Sequence, residues 1–208
     1  MIKVNDLQKG KKNRYIVTLN ENEYDVNENL ILNYHLIKGY VIEDDKVLDD
    51  IISDISYYDF YDIALTYLER NIKSSGEIKK YLKKKGASDE ISSKIVSALI
   101  SHKLLDDKKY FELYVSHYIR IGYGPIYIIN KAKQSDIPQN IIEEFDFINY
   151  KDDIKASCLK QSQKKIKLIK ESDAYQKIMK LKRYLISRGY DYNMINEVIK
   201  EIIWKKTN

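Results

Sequence analysis

The apolar positions of the chain change their spacing at about residue 44. Before that point, residues 15–19 are β-prone, residues 20–23 are turn-like, and residues 24–26 can return as a second strand. Residues 2–4 alternate apolar and polar side chains, which suits a third strand. Because a two-stranded hairpin is marginally stable alone in water, we expect this region to pack on the helices that follow.

Helical spacing dominates the rest of the chain. A short helix over 30–38 is expected to begin at Asn27 or Asn29 and to end at Gly39. From Val47 onward, apolar residues recur at i, i+3 and i+4. This spacing predicts helices over 47–55, 58–72, 75–85, 88–101, 107–121, 124–134, 138–146, 151–170, 173–187 and 191–206.

The nine helices from residue 58 onward repeat in threes. At an offset of 103, residues 81–86 align without a gap with residues 184–189, and the apolar positions that follow agree as well. A weaker middle copy at an offset of 50 puts Asp136 where Gly86 stands, which is acceptable because aspartate tolerates a left-handed backbone better than most residues.

The repeats predict a mainly α fold, an elongated tandem array of three three-helix modules with a small N-terminal β-hairpin plus helices. Chance similarity between amphipathic helices is the alternative. The predicted boundaries are 1–56 for the N-terminal extension, then 57–105, 106–150 and 151–208 for modules 1, 2 and 3.

The composition leaves few residues for catalysis or metal binding. The 208 residues include 7 glycines, so few are available to build a Gly-rich nucleotide loop. With 1 cysteine, an internal disulfide is excluded and a Cys-based zinc site nearly so. Cys158 is interpreted as a small buried apolar residue. None of His35, His102 and His117 has a partner at triad spacing, and no serine lies in a nucleophile motif. No apolar run reaches the ~18 residues of a membrane span, so we expect an intracellular, cytoplasmic protein.

The net charge of +5 hides an asymmetry along the chain. Residues 1–56 carry 7 basic and 11 acidic side chains, residues 57–150 carry 14 and 13, and residues 151–208 carry 15 and 7. The last segment, at net +8, is therefore a candidate surface for nucleic acid or for an acidic protein face.

Sequence motifs in all three modules carry a family resemblance. They are Ala64-Leu65-x-Tyr67-Leu68-x-Arg70, Ser74-Ser75-x-Glu77-Ile78, Leu82-x-x-Lys85-Gly86, Leu104-Leu105-Asp106-Asp107, Gly124-Pro125, and Leu185-x-x-Arg188-Gly189-Tyr190. Together they resemble the RecX regulatory family over most of the chain. Residues 8–15 resemble the extra segment of longer members from Gram-positive-type bacteria. The departures are Ile78 for leucine, Lys131-Ala132 in place of a large apolar residue, and Asp136 for glycine.

The resemblance implies a non-enzymatic protein without cofactors that binds RecA and its filament on single-stranded DNA. It implies modulation of recombination, DNA repair and the SOS response. We expect a monomer with weak direct binding to single- and double-stranded DNA. One rival interpretation is a RecA-independent, nucleic-acid-binding helical-repeat protein, and another is a scaffold whose lysines only keep it in solution.

The candidate contacts to RecA or DNA are basic or aromatic. They are Arg70, Lys79, Lys80, Lys83, Lys84, Tyr114, Arg120, Lys164, Lys165, Lys167, Lys182, Arg183 and Arg188. For the lysines of 79–85, a solvated face is the alternative. For Arg70 it is an ion pair with Glu77, and for Tyr110, Tyr114 and Tyr118 it is packing. Asp106-Asp107 is expected to cap a helix rather than to bind a metal.

The module array generates a prediction about size in solution. We expect a radius of gyration clearly above the ~17 Å of a compact chain of this length, because tandem modules extend along one direction. Solution X-ray scattering measures this directly. A value near that of a compact globule would contradict the array.

Overall fold

A computed structural model describes residues 1–11, 13–44 and 46–207, so Lys12, within the segment 8–15, and Asn208, the last residue of module 3, lie outside the described residues. The strands are β1 (Ile2–Lys9), β2 (Arg14–Leu19), β3 (Asn22–Asn27) and β4 (Val41–Ile42). The helices are α1 (Glu28–Tyr34), α2 (Lys46–Leu68), α3 (Ser75–Lys84), α4 (Asp89–Ser101), α5 (Asp107–Arg120), α6 (Pro125–Lys133), α7 (Gln139–Glu143), α8 (Lys151–Leu168), α9 (Ala174–Ser187) and α10 (Tyr192–Thr207).

The fold is mainly helical with a small N-terminal sheet, as predicted, but the sheet is larger than a hairpin. Its four strands are antiparallel in the order β3-β2-β1-β4. The strand expected at residues 2–4 extends to Lys9, with a register shift between Val4 and Asp6. The two-residue β4 carries no sequence pattern and forms because β1 offers it a free edge.

Two helix boundaries in the N-terminal half differ from the prediction. Asn27 caps α1 by accepting a hydrogen bond from the Asn29 N–H, but the helix ends at His35, whose φ is +52°, and not at Gly39. The helices expected over 47–55 and 58–72 form one continuous helix, α2, because no glycine or proline interrupts residues 46–68.

The chain forms two compact units. The first comprises residues 1–72 and 78–104, and the second comprises residues 73–77 and everything from Leu105 onward. In the first unit, Arg14 joins the sheet to α2, because its guanidinium contacts the carboxylates of Asp25 on β3 (2.8 Å) and Asp59 on α2 (2.6 Å). The core beneath includes Val4, Val17, Leu30 and Ile51.

The burial pattern supports the repeat alignment between the first and third modules. Ile78, Leu82, Ile95 and Leu99 are buried. So are their counterparts 103 positions later, which are Leu181, Leu185, Val198 and Ile202. Gly86 and Gly189 both adopt positive φ, at +103° and +80°.

The middle module departs from this pattern at two places. Asp136 is not among the described non-glycine residues with positive φ, so the left-handed backbone expected there is wrong. Its carbonyl instead accepts a hydrogen bond from the Ser74 hydroxyl at 2.6 Å. The helix expected over 138–146 is shortened to α7, since Asp146 caps a following 3-10 turn at Ile148 and Phe145 packs edge-on against Phe111.

The second unit has one core, to which α5, α6, α8, α9 and α10 contribute, with Phe111, Val115, Leu181, Leu185 and Ile195 at its centre. Cys158 is fully buried in it, as expected, and burial raises the pKa of its thiol to about 12.

Two glycines bring the second and third modules into backbone contact. The Gly124 N–H donates to the Arg188 carbonyl at 2.8 Å, and the Ile126 N–H donates to the Gly189 carbonyl at 3.1 Å. A methyl group on Gly124 would overlap the Gly189 carbonyl, and one on Gly189 would overlap the Tyr127 backbone. We call this contact the glycine junction; it gives the N-terminus of α6 acceptors that no side chain supplies.

The glycine junction predicts a large effect of Gly189→Ala. The free energy of unfolding should fall by ~1–2 kcal/mol, because alanine is disfavoured in a left-handed backbone conformation. Overlap of the added methyl group with the α6 backbone should lower the free energy of unfolding by about 1–3 kcal/mol more. Gly86→Ala is the matched control, because Gly86 has a similar φ but nothing within 4 Å of an added methyl group. Urea denaturation of both variants measures the difference; equal losses would show that the close approach contributes nothing.

Candidate nucleic-acid interface

The first basic cluster lies on α3 and is partly neutralised. Ile78 and Leu82 form the buried side of this helix, so the lysines lie on the other side, as predicted. Lys79 and Lys83 both contact Asp89, at 3.7 and 2.5 Å, and the hydrogen bond from Lys83 lowers the pKa of that carboxyl. This pairing favours the interpretation of a solvated charged face for these two lysines. Lys80 and Lys84 are exposed.

The start of α3 is fixed by a reciprocal cap. The Ser74 N–H donates to the Glu77 carboxylate and the Glu77 N–H donates to the Ser74 hydroxyl, each at 3.1 Å. Asp107 accepts from the Ser75 N–H at 2.8 Å. Glu77 is therefore used in capping, while Arg70 is exposed in the turn after α2. The neighbouring Asp106 caps α5 through the Lys109 N–H at 3.0 Å, which is the role expected for one of the two aspartates.

The tyrosines of α5 are packing residues. Tyr110, Tyr114 and Tyr118 pack against the core of the second unit, with ring centroids of neighbours 6.4 and 4.7 Å apart. Burial raises the pKa of Tyr110 to about 12 and also raises that of Tyr114, whose hydroxyl is buried without a hydrogen-bond partner among the described residues. This geometry favours the packing interpretation of Tyr114 over base stacking. Arg120 is exposed at the end of the same helix.

The second basic cluster lies on α8 and α9 and includes both exposed and half-buried side chains. Lys164, Lys167 and Arg183 are exposed, whereas Lys165 and Lys182 are half-buried with their ammonium groups over tyrosine rings. Lys165 lies 5.0 Å from the ring centroid of Tyr184 and Lys182 lies 5.2 Å from that of Tyr192. Lys165 and Lys167 occupy the last turn of α8, where the partial negative charge of the helix C-terminus favours cations.

The second and third modules together form a column of alternating cations and rings that the sequence did not predict. Its members are Lys165, Tyr184, Arg188, Tyr123 and Tyr127. The Arg188 guanidinium lies between two rings, 5.3 Å from the centroid of Tyr184 and 4.6 Å from that of Tyr123. Tyr123 in turn stacks on Tyr127 at 3.9 Å. The i, i+4 spacing of Tyr184 and Arg188, and of Tyr123 and Tyr127, is the sequence signal that could have revealed it.

The column fixes Arg188 by packing and leaves most of its donors unused. The one hydrogen bond of its guanidinium among the described residues is a long one, from Nη1 to the Gly122 carbonyl at 3.5 Å. A guanidinium held between rings keeps its N–H groups at the edge of the stack, where phosphate or carboxylate oxygens can accept from them. Arg188 is therefore the best positioned of the arginines singled out from the sequence.

Within the described ranges, no group of three or more His, Cys, Asp or Glu side chains could hold a metal ion. Over the same part of the chain, none of the helices is long and apolar enough to cross a membrane.

Fold and surface together define a class of protein, in which three-helix modules follow a small sheet and present a cationic surface. The family model for the first three-helix domain of RecX matches residues 61–99, and the model for the third three-helix domain matches residues 152–199. The regulatory protein RecX of Clostridium acetobutylicum is 31% identical over 206 residues, covering 95% of this chain and 94% of the relative. That of Bacillus licheniformis is 27% identical and covers 93% of this chain and 74% of its own length.

Solved structures agree on the fold. A crystal structure of regulatory protein RecX superposes with a TM-score of 0.84 at 20% identity, covering 96% of this chain and all of the other. RecX from Lactobacillus salivarius gives a TM-score of 0.66 at 24% identity, covering 72% and 97% of the two chains. The chain belongs to the RecX family of regulatory proteins.

Proposed function

We propose that this protein binds RecA and the RecA filament on single-stranded DNA and lowers the filament's ATPase, strand-exchange and co-protease activities. Membership of a family of regulatory proteins supports a role in regulation. The observation that carries the proposal further is the accessible basic surface on α8 and α9, where Lys164, Lys167 and Arg183 are exposed. A RecA filament on DNA presents phosphates and acidic side chains that such a surface would attract.

In this proposal the protein regulates recombination and the SOS response by binding and not by catalysis. It acts as a monomer in the cytoplasm. We also propose that the three modules begin after residues 56, 105 and 150. The alternative is a helical-repeat protein that binds nucleic acid without RecA. The two differ in one observation, which is whether RecA and nucleotide strengthen binding of the protein to single-stranded DNA.

The test is RecA ATPase on single-stranded DNA with increasing amounts of this protein. We expect the steady-state rate to fall well below that of RecA alone as the protein approaches equimolar amounts. An unchanged rate across that range, together with unchanged DNA binding when RecA is added, would contradict the proposal and favour the alternative.

Charge reversal on α8 and α9 should weaken filament binding. Lys164→Glu with Arg183→Glu changes two exposed side chains, so we expect the free energy of unfolding to move by no more than ~0.5 kcal/mol per site. Filament affinity should fall on the order of tenfold or more, because two attractive contacts become repulsive. Lys151→Glu with Lys200→Glu is a control with the same charge change on exposed lysines of the same module. Equal affinities of the two double variants would show that only net charge matters.

Arg70 gives a second prediction for the first module. Arg70→Lys keeps the charge but loses the planar fork that can grip a carboxylate or phosphate with two hydrogen bonds. We expect it to reduce inhibition of RecA ATPase while leaving the melting temperature unchanged, since Arg70 is exposed. Inhibition like wild type by both Arg70→Lys and Arg70→Ala would remove Arg70 from the interface.

A further inference from the structure

One face of α8 joins two cavities of the second unit. Asp153, Ser157, Gln161, Lys165 and Leu168 recur at i, i+3 or i+4 and so lie on one side of the helix. Lys160 and Lys164 belong to the same side by the same spacing. We call these seven residues the α8 face.

The first cavity lies between α5 and the N-terminal half of α8 and has a volume of about 360 Å³. Arg120 from α5 and Lys160 from α8 are its cations, and both are exposed. Ser116 and Gln161 add neutral hydrogen-bonding groups to its lining. Guanidinium, ammonium, hydroxyl and amide groups are those that proteins use to contact phosphate oxygens.

The second cavity lies between the C-terminal end of α8 and α9 and has a volume of about 490 Å³. Lys165, Lys170, Lys180 and Arg183 line it. Its acid, Glu171, is bound to Lys180, and that hydrogen bond lowers the pKa of the carboxyl. Glu171 therefore offsets one of the four cations and leaves the second cavity basic.

Tyr184 connects the two cavities. Its hydroxyl donates to Gln161 Oε1 at 3.0 Å, at the edge of the first cavity, while Lys165 of the second cavity lies over its ring. From residue 153 to residue 168 the helix rises about 22 Å. Along that length the acids in the two linings stand at the ends, Asp153 at the start and Glu171 just past the last turn.

We infer that the α8 face binds the phosphate backbone of a single nucleic-acid strand, running from the first cavity to the second. The inference rests on the function proposed above and deepens it, because it assigns the surface that meets DNA. Cations from α5, α8 and α9 are spread along the length of α8, which suits a polymer with one negative charge per nucleotide. The ring of Tyr184 is already covered by Lys165 and Arg188 and is not available to stack on a base. The α8 face therefore contacts phosphates and makes no base-specific contacts.

The position of α8 among its neighbours favours one strand over a duplex. Helix α8 packs against α5, α9 and α10, so it lies between neighbours and does not project from the surface. A helix that reads duplex DNA must project far enough to enter the major groove. The α8 face is therefore suited to a thin, flexible polyanion.

The experiment measures fluorescence anisotropy of labelled oligo-dT and of a duplex of equal length, without RecA, over a series of salt concentrations. The test variant is Lys160→Gln with Lys164→Gln. The control is Lys151→Gln with Lys200→Gln, which removes the same charge from exposed positions off the face; Lys151 lies on the opposite side of α8 from Lys160. Unchanged melting temperatures establish that both variants fold.

We expect wild type to bind oligo-dT more tightly than the duplex. The test variant should bind oligo-dT on the order of tenfold more weakly at low salt, with a slope of log K against log salt reduced by about 1.4, since each single-strand phosphate contact contributes about 0.7. The control should keep the wild-type slope. Equal loss in both variants, an unchanged slope in the test variant, or tighter binding to the duplex would each overturn the inference.

RecA ATPase in the presence of the same variants separates this inference from the proposed function. If wild type inhibits RecA but does not bind oligo-dT, the proposed function stands and the α8 face is not a DNA site. If the test variant loses RecA inhibition with its oligo-dT affinity intact, the face binds acidic protein instead, which also overturns the inference. If oligo-dT binding follows the face but RecA is unaffected, the inference survives and the proposed function fails.

Discussion

The second unit depends on a contact between two backbones that no side chain separates. At the glycine junction, carbonyls at the end of α9 accept from amides at the start of α6, so the N-terminus of a helix in one module is capped by the chain of another. The residues on either side of Gly189 are then fixed in opposite environments. Arg188 lies between tyrosine rings, whereas Tyr190 is buried, with its hydroxyl 3.0 Å from that of Ser157, and burial raises its pKa to about 12. A side chain at either glycine would separate the modules and move the column.

The parts of the fold that follow from local rules were predictable. Apolar spacing located the helices, capping residues such as Asn27 and Asp106 set their starts, and the glycines at 86 and 189 marked equivalent turns. The errors arose where distant residues decide. Strand β4 exists only because β1 presents an edge, and α7 is cut short by Phe145 packing on Phe111, which lies 34 positions away. Nothing within either segment encodes those partners.

The candidate surface was predictable in composition but not in arrangement. Charge counts identified the third module, and its exposed lysines agree with that expectation. They could not show that Lys79 and Lys83 share Asp89, or that Lys165 and Arg188 stack on the same ring. The sequence could not separate the arginines by their surroundings either. Arg14 and Arg188 do occupy sites that need a planar group, yet Arg70 lies exposed in a turn.

The α8 face also has a thermodynamic consequence for the protein without a ligand. Like charges held close together on one rigid helix repel, and this repulsion opposes the compact state. Dissolved ions screen it, so the second unit should be more resistant to heat at moderate ionic strength than in dilute buffer. A bound polyanion would act in the same direction and more strongly, because it stabilises only the folded arrangement of the cations. The α8 face thus lowers the stability of the free protein through repulsion between its cations, and a bound polyanion removes that repulsion.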